Sequence, residues 1–362
     1  MSKSKVNIRT IIKKIGIIFA VLLILSLLLL LVLRFIYPSV LRANHKIESP
    51  GIDLMETVEI GGINQALYFR GKNLDNPVIL YVHGGPGMPM MPLLHGFQYE
   101  WESDFTIVHW DQRNAGKTFY LSDPEIILET LTIDTVLADA HEVTQYIKKK
   151  LNKEKIIILG HSWGSVLGTM LVREYPQDYS AYIGVGQIVN MKENTPVGYH
   201  AALEFAISKG NKRDIAALEK LDPELGENFL GIRKYLNKYN MAEDYSFRLI
   251  MLAVTSPHYK FNELMYYLNV NTFHYSEPLF NFLDDFNMRD NGANYEIPVF
   301  YIMGERDYQT PYPLAKSFFE EISAPHKEFF SVPNASHLTM LDNKDEFNRI
   351  LIEVIKPLLT SD

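Results

Sequence analysis

The feature that most constrains this 362-residue chain is a five-residue turn, Gly160-His161-Ser162-Trp163-Gly164. It stands between a short apolar run at 155–159 and a segment of helical spacing at 165–174. A strand that turns sharply into a helix leaves no room for side chains two residues either side of the central one, hence the two glycines. Such a turn lifts the Ser162 hydroxyl above a sheet edge, and the helix start behind it favours developing negative charge.

The surrounding text has the rhythm of an α/β fold. Residues 55–60 and 63–70 flank Gly61-Gly62 and predict an antiparallel hairpin. Buried-strand runs follow at 78–83, 105–110, 155–159 and 181–185, with helical spacing over 132–151 and 165–174. This alternation implies a mostly parallel sheet covered on both faces. It stops near Asn190, where about a hundred Tyr-rich residues read as helical. It resumes with strands at 297–303 and 327–332 and helices at 313–322 and 344–359. The expected organisation is a first core part at 55–189, a helical cap at 190–292 and a second core part at 293–362.

Residues 15–33 carry no charge, and at 1.5 Å per residue they span about the hydrocarbon thickness of a bilayer. Five Lys or Arg precede this run, while Arg34, Arg42 and Lys46 follow it. The pattern predicts a basic cytoplasmic segment (1–14), a transmembrane helix (15–36) with Tyr37 as an interfacial anchor, and a linker (37–54). The body then lies outside the cell membrane in a single-pass arrangement. A cleaved signal peptide is the rival reading. It is disfavoured by the length of the run and by Arg34-Phe35-Ile36-Tyr37-Pro38 where a small-residue cleavage site belongs.

Charge and composition narrow the function. The first 46 residues hold eight basic side chains and no acid, leaving a body of 27 basic and 43 acidic side chains. Such a body repels phosphate backbones, so no nucleic-acid partner is expected. No Cys is present, which excludes disulfides, thiolate metal sites and a cysteine nucleophile.

A serine hydroxyl needs a base, and the base needs an orienting carboxylate. Where this turn occurs the chain order is Ser, acid, His. Asp307 follows the strand at 297–303 and His337 follows the strand at 327–332, so both loops fall on the rim that carries Ser162. Glu305 is the rival orienting acid; Asp307 is preferred from its loop position and from the family resemblance described next. His326 precedes its strand and belongs to the opposite rim. The oxyanion donors are expected to be the N–H groups of Trp163 and of Gly85, within His83-Gly84-Gly85-Pro86-Gly87 after the strand at 78–83.

Together His83-Gly84-Gly85-Pro86-Gly87, Asp111-Gln112-Arg113 and Gly160-His161-Ser162-Trp163-Gly164-Ser165 resemble the proline iminopeptidase family of α/β-hydrolases. The resemblance covers about 55–190 and 295–360. It implies an α/β-hydrolase sheet with an inserted helical cap and a serine exopeptidase that releases N-terminal residues from small peptides. It also implies a structural role for Asp111-Gln112-Arg113 behind the oxyanion loop. Departures are Asn114 where the family often has Gly, and His161 where it often has a second Gly. That histidine is common in esterases. All three Trp lie outside the cap, although family caps commonly use Trp and paired Glu to hold the substrate amine.

Other motifs are incomplete. Gly116-Lys117-Thr118 lacks the first glycine of a phosphate loop, and His141-Glu142 is followed by Gln145 where a zinc helix needs His. Asp284, Asp285, Asp290 and Glu296 lack calcium-loop spacing. No metal or cofactor is therefore expected. Cap acids such as Glu204 and Glu243, among Glu193, Glu224, Glu227, Glu263 and Glu277, are candidates to hold a substrate ammonium. The alternatives to a peptidase are an esterase using the same residues and a non-catalytic binding module.

Overall fold

The computed structural model describes residues 8–225, 228–242, 247–264 and 274–360. Eight strands form one sheet: β1 (Ile52–Ile60), β2 (Ile63–Gly71), β3 (Val78–Val82), β4 (Thr106–Asp111), β5 (Ile156–His161), β6 (Tyr179–Val185), β7 (Val299–Gly304) and β8 (Lys327–Val332). Their order is β1-β2-β4-β3-β5-β6-β7-β8. β2 is antiparallel to both neighbours, and the pairs from β4 through β8 are parallel. The hairpin turn is Gly61-Gly62, both at positive φ (54° and 75°), which a tight two-residue connection requires.

Strands buried on both faces need apolar residues at successive positions, and β3 and β5 show why. Val78, Leu80, Val82, Ile156 and Ile158 point into one core, shared with the helices Ile133–Leu151, Trp163–Glu174 and Tyr312–Glu321. Ile79, Tyr81, Ile157 and Leu159 point into the other, shared with Phe97, Trp101 and the C-terminal Phe347, Ile350, Leu351 and Ile355. Each such side chain contributes about 1.5–3 kcal/mol by leaving water. Between β6 and β7 the chain makes only helices among the described residues. The first of them share a small core of their own around Tyr199, Ala202, Leu218, Ile232 and Leu236.

The N-terminus departs from the expected anchor-plus-linker. Helix begins at Ile8, passes through a π-helical stretch at Val32–Ile36 and continues as Tyr37–Asn44. Residues 37–44, expected as linker, stay helical because they pack on the body: Pro38 is buried and Leu41 joins the second core. β1 likewise begins at Ile52, inside the expected linker. The short helices Gly116–Leu121 and Pro124–Thr130 were not legible, being too short to show helical periodicity.

Candidate active site

The turn after β5 is as tight as its sequence implied. A Cβ on Gly160 would sit 2.4 Å from the Gly164 carbonyl oxygen, and one on Gly164 only 2.0 Å from that of Val82. Ser162 takes φ 54°, ψ −121°, an uncommon backbone state for a non-glycine residue. It is held there by its N–H, which donates to Val185 O at 2.9 Å. Trp163 opens the helix Trp163–Glu174, so its N–H has no partner within that helix.

The loop after β3 lies against the serine. A Cβ on Gly84 would be 3.0 Å from Ser162 Cβ, and Gly85 is at φ 114°. Gln112, just past β4, ties this loop to the turn. Its side-chain N–H donates to His83 O (3.0 Å), its oxygen accepts the Trp163 indole N–H (3.0 Å), and its backbone N–H donates to His83 Nε2 (3.2 Å). His83 is therefore the Nδ1–H tautomer, donating to Gly84 O at 2.9 Å. Burial lowers its pKa to about 4, which keeps the imidazole neutral. Behind Gln112, Arg113 and Asp139 make a buried two-point ion pair (2.7 and 2.9 Å).

Asp307 and His337 meet from the loops after β7 and β8. Both side chains are fully buried, and His337 Nδ1–H donates to Asp307 Oδ2 at 2.8 Å. Asp307 also accepts from Gln309 N–H, Thr310 N–H and the Thr310 hydroxyl, at 3.0, 3.0 and 2.8 Å. Four donors on one buried carboxylate satisfy its oxygens and hold it in place. Glu305, the rival acid, is exposed and lies off this network. His337 Nε2 is buried and makes no hydrogen bond, so the link to Ser162 Oγ is open in this ground state. Looser geometry of this kind is common before substrate binds. His161 connects the two loops: its Nε2–H donates to the His337 carbonyl at 2.9 Å, and burial lowers its pKa to about 3.

A buried carboxylate–imidazole pair, tied through His161 to the turn that carries a strained serine, is the kind of arrangement that acyl chemistry on a carbonyl uses. The family model for the α/β-hydrolase fold matches residues 77–344. The chain belongs to the α/β-hydrolase fold family. The hydrolase is 27% identical to a Bacillus subtilis (strain 168) protein named "Probable aminopeptidase YbaC", over 84% of this chain and 96% of that one. It is 25% identical to the proline iminopeptidase of Thermoplasma volcanium, over 83% and 95%. The solved structure of a proline iminopeptidase-related protein from Thermus thermophilus superposes with a TM-score of 0.60 at 21% identity, covering 85% of this chain and 98% of that one. That last likeness is one of fold.

The cap acids of the hydrolase are less informative than its triad-like loops. Glu204 is exposed on the helix Met191–Ser208, and its charge acts on Tyr308, the neighbour of Asp307. Glu263 is taken up by Lys117, Glu193 by Asn190 and Glu277 by His274. Glu224 is exposed, and Glu227 and Glu243 lie outside the described residues. Two residues of the site escaped sequence reasoning. Thr310 braces Asp307. Gly186, at φ 55° just past β6, lies under the imidazole: a Cβ there would be 3.0 Å from His337 Cε1 and 3.4 Å from Asp307 Oδ2. A glycine directly after a central strand, on the rim carrying Ser162, was the available signal.

Proposed function

We propose that this hydrolase is a membrane-anchored serine exopeptidase that releases N-terminal residues from short peptides. The observation that carries the reading is the buried Asp307–His337 pair, whose Nε2 makes no hydrogen bond and whose loop is tied by His161 to the turn that carries the strained Ser162. His337 Nε2 takes the Ser162 proton as the hydroxyl attacks the scissile carbonyl, and Asp307 stabilises the imidazolium. The Trp163 and Gly85 N–H groups receive the oxyanion. His337 returns the proton to the leaving amine, and water then releases the acyl-enzyme by the same steps. The names of the relatives support a peptidase, and the match spans 96% and 95% of their own lengths.

The anchor reading rests on the helix over Ile12–Asn44, whose mean hydropathy reaches 3.3 and whose apolar stretch is wholly exposed. The five basic residues before the uncharged run at 15–33 support a cytoplasmic N-terminus.

Purified full-length chain is assayed with proline- and alanine-arylamides and with short acyl esters. Arylamide turnover that requires a free α-amine is expected. Ester turnover alone would move the reading to an esterase, for which His161 in the turn is the sequence argument. Ser162→Ala should lower turnover by several orders of magnitude, on the order of 10⁶ in the best-studied triad, and abolish labelling by a phosphonate probe. Activity close to wild type in that variant refutes the assignment. A wild type that folds yet neither labels nor turns over substrate is a binding module.

A further inference from the structure

We infer that the rim carrying Ser162, Asp307 and His337 faces the lipid bilayer, so that the site takes its peptides from the membrane surface. This rests on the membrane-anchor reading above and adds a direction to it.

The direction comes from the order of contacts along the helix that leaves the apolar segment. Arg34 donates to Ser256 O at 3.0 Å and to Tyr259 O. The Tyr259 hydroxyl donates to the Asp111 carboxylate, which also receives Lys117 N–H at 2.7 Å. Asp111 is the last residue of β4, on the rim of the site. Two turns on, Arg42 donates to Pro257 O at 3.1 Å. Neighbouring His258 bonds the Tyr68 hydroxyl at 2.9 Å, and Tyr68 pairs with His109, further back in β4. Next, His45 stacks on Tyr99 (3.8 Å between ring centres), and its carbonyl accepts from Arg70 at 2.8 Å. Arg70 pairs with Ile107, near the start of β4.

The helix thus descends one face of the sheet from the carboxyl end of β4 to its amino end. Read in reverse, it leaves the body at the carboxyl ends, where the loops after β3, β5, β7 and β8 form the site. From Arg34 back to Ile8 it extends about 39 Å beyond that rim at 1.5 Å per residue. The attachment is a strut, since Pro38 is buried and Leu41 sits against the core. The acidic body gains nothing from anionic headgroups, so the strut must impose the orientation.

The helical insertion covers the same rim and so becomes the part nearest the lipid. The Ser336 hydroxyl donates to Ala242 O at 3.3 Å, and Arg248 donates to Leu341 O. It also exposes large apolar side chains where water alone would favour polar groups: Leu230 is 75% exposed and Phe247 77%, with Phe229 and Ile250 also exposed. Side chains of this kind suit the headgroup boundary of a bilayer. The substrate class that fits is a peptide embedded in, or adsorbed to, the membrane, with its N-terminus at the interface.

The chain has no cysteine, so single labels are straightforward. Leu230→Cys and Phe247→Cys report on the insertion. Glu320→Cys reports on the far rim, because Glu320 is exposed and its carbonyl accepts from Lys327 at the start of β8. Each full-length variant, labelled with an environment-sensitive fluorophore, is reconstituted in phosphatidylcholine vesicles containing lipids with a nitroxide near the headgroup. Circular dichroism confirms the fold, with Phe229→Cys and Ile250→Cys as replacements for a variant that misfolds. Severalfold stronger quenching at 230 and 247 than at 320 is expected. Equal or reversed quenching, in chain that resists alkaline extraction from the vesicles, overturns the orientation and leaves the anchor reading intact. Chain that is extracted, or that is isolated from cells with its N-terminus beyond residue 46, overturns both.

Discussion

His337 donates its Nδ1–H to Asp307 across 2.8 Å in a pocket that excludes water from both side chains. The imidazole is thereby fixed in the tautomer whose Nε2 carries the lone pair a base needs. Asp307→Asn presents an amide in place of one carboxylate oxygen and withdraws the charge that stabilises the imidazolium. Arylamide turnover should fall on the order of 10⁴-fold, as it does in the best-studied serine triad, with KM changed far less. Steady-state kinetics check this.

Gly186→Ala tests the support beneath the imidazole. The new Cβ would lie within 3.0–3.4 Å of His337 and Asp307 in a backbone state that alanine tolerates poorly. A loss of about tenfold or more in kcat is expected for a shift of this kind, with little change in KM. The rate of phosphonate labelling at Ser162 should fall in parallel.

Gln112→Leu removes the tie between the oxyanion loop and the serine turn. It orphans the His83 carbonyl and the Trp163 indole N–H, each at a cost of about 1–3 kcal/mol. The melting temperature should drop, and kcat should fall about 10–100-fold as the Gly85 donor loses its position. Arg113, one residue on, holds Asp139 and the Gly61 carbonyl. Arg113→Leu should therefore cost stability with a smaller effect on kcat.

Acid should destabilise the fold. Burial lowers the pKa of His83 to about 4 and those of His109 and His161 to about 3, against an ordinary value near 6.5. Below pH 6.5 the unfolded chain binds these protons and the folded chain does not. Stability is then lost as pH falls toward 4, by up to about 1.4 kcal/mol per pH unit for each histidine. Asp111 opposes this. Burial raises its pKa to about 7, so it contributes stability at low pH that disappears as pH rises through 7. Urea midpoints should be lower at pH 5 than at pH 7.5, and Asp111→Asn should steepen the difference.

Much of the architecture was legible because its signals are local. Two glycines around Ser162, apolar runs at strand length and a loop after each run place Gly85, Ser162, Asp307 and His337 at the same ends of strands β3, β5, β7 and β8. A structural role for Gln112 behind the oxyanion loop was legible only through the family resemblance, and its partners and the place of Gly186 were not, because they are remote in sequence. Gln112 meets Trp163 across 51 positions, and Gly186 meets His337 only when β6 and β8 flank β7. The helix at 37–44 was missed for the same reason, since the Pro257 carbonyl, 215 positions on, holds its Arg42.

The helical insertion leaves and re-enters the core at one point. Asn190 bridges to Asn287, and Met288 N–H donates to Val189 O at 2.7 Å. A segment closed at its base in this way can be lengthened, shortened or exchanged as a single cassette without rethreading the sheet. Descendants of this chain can therefore diverge in what they accept while inheriting the same chemistry beneath.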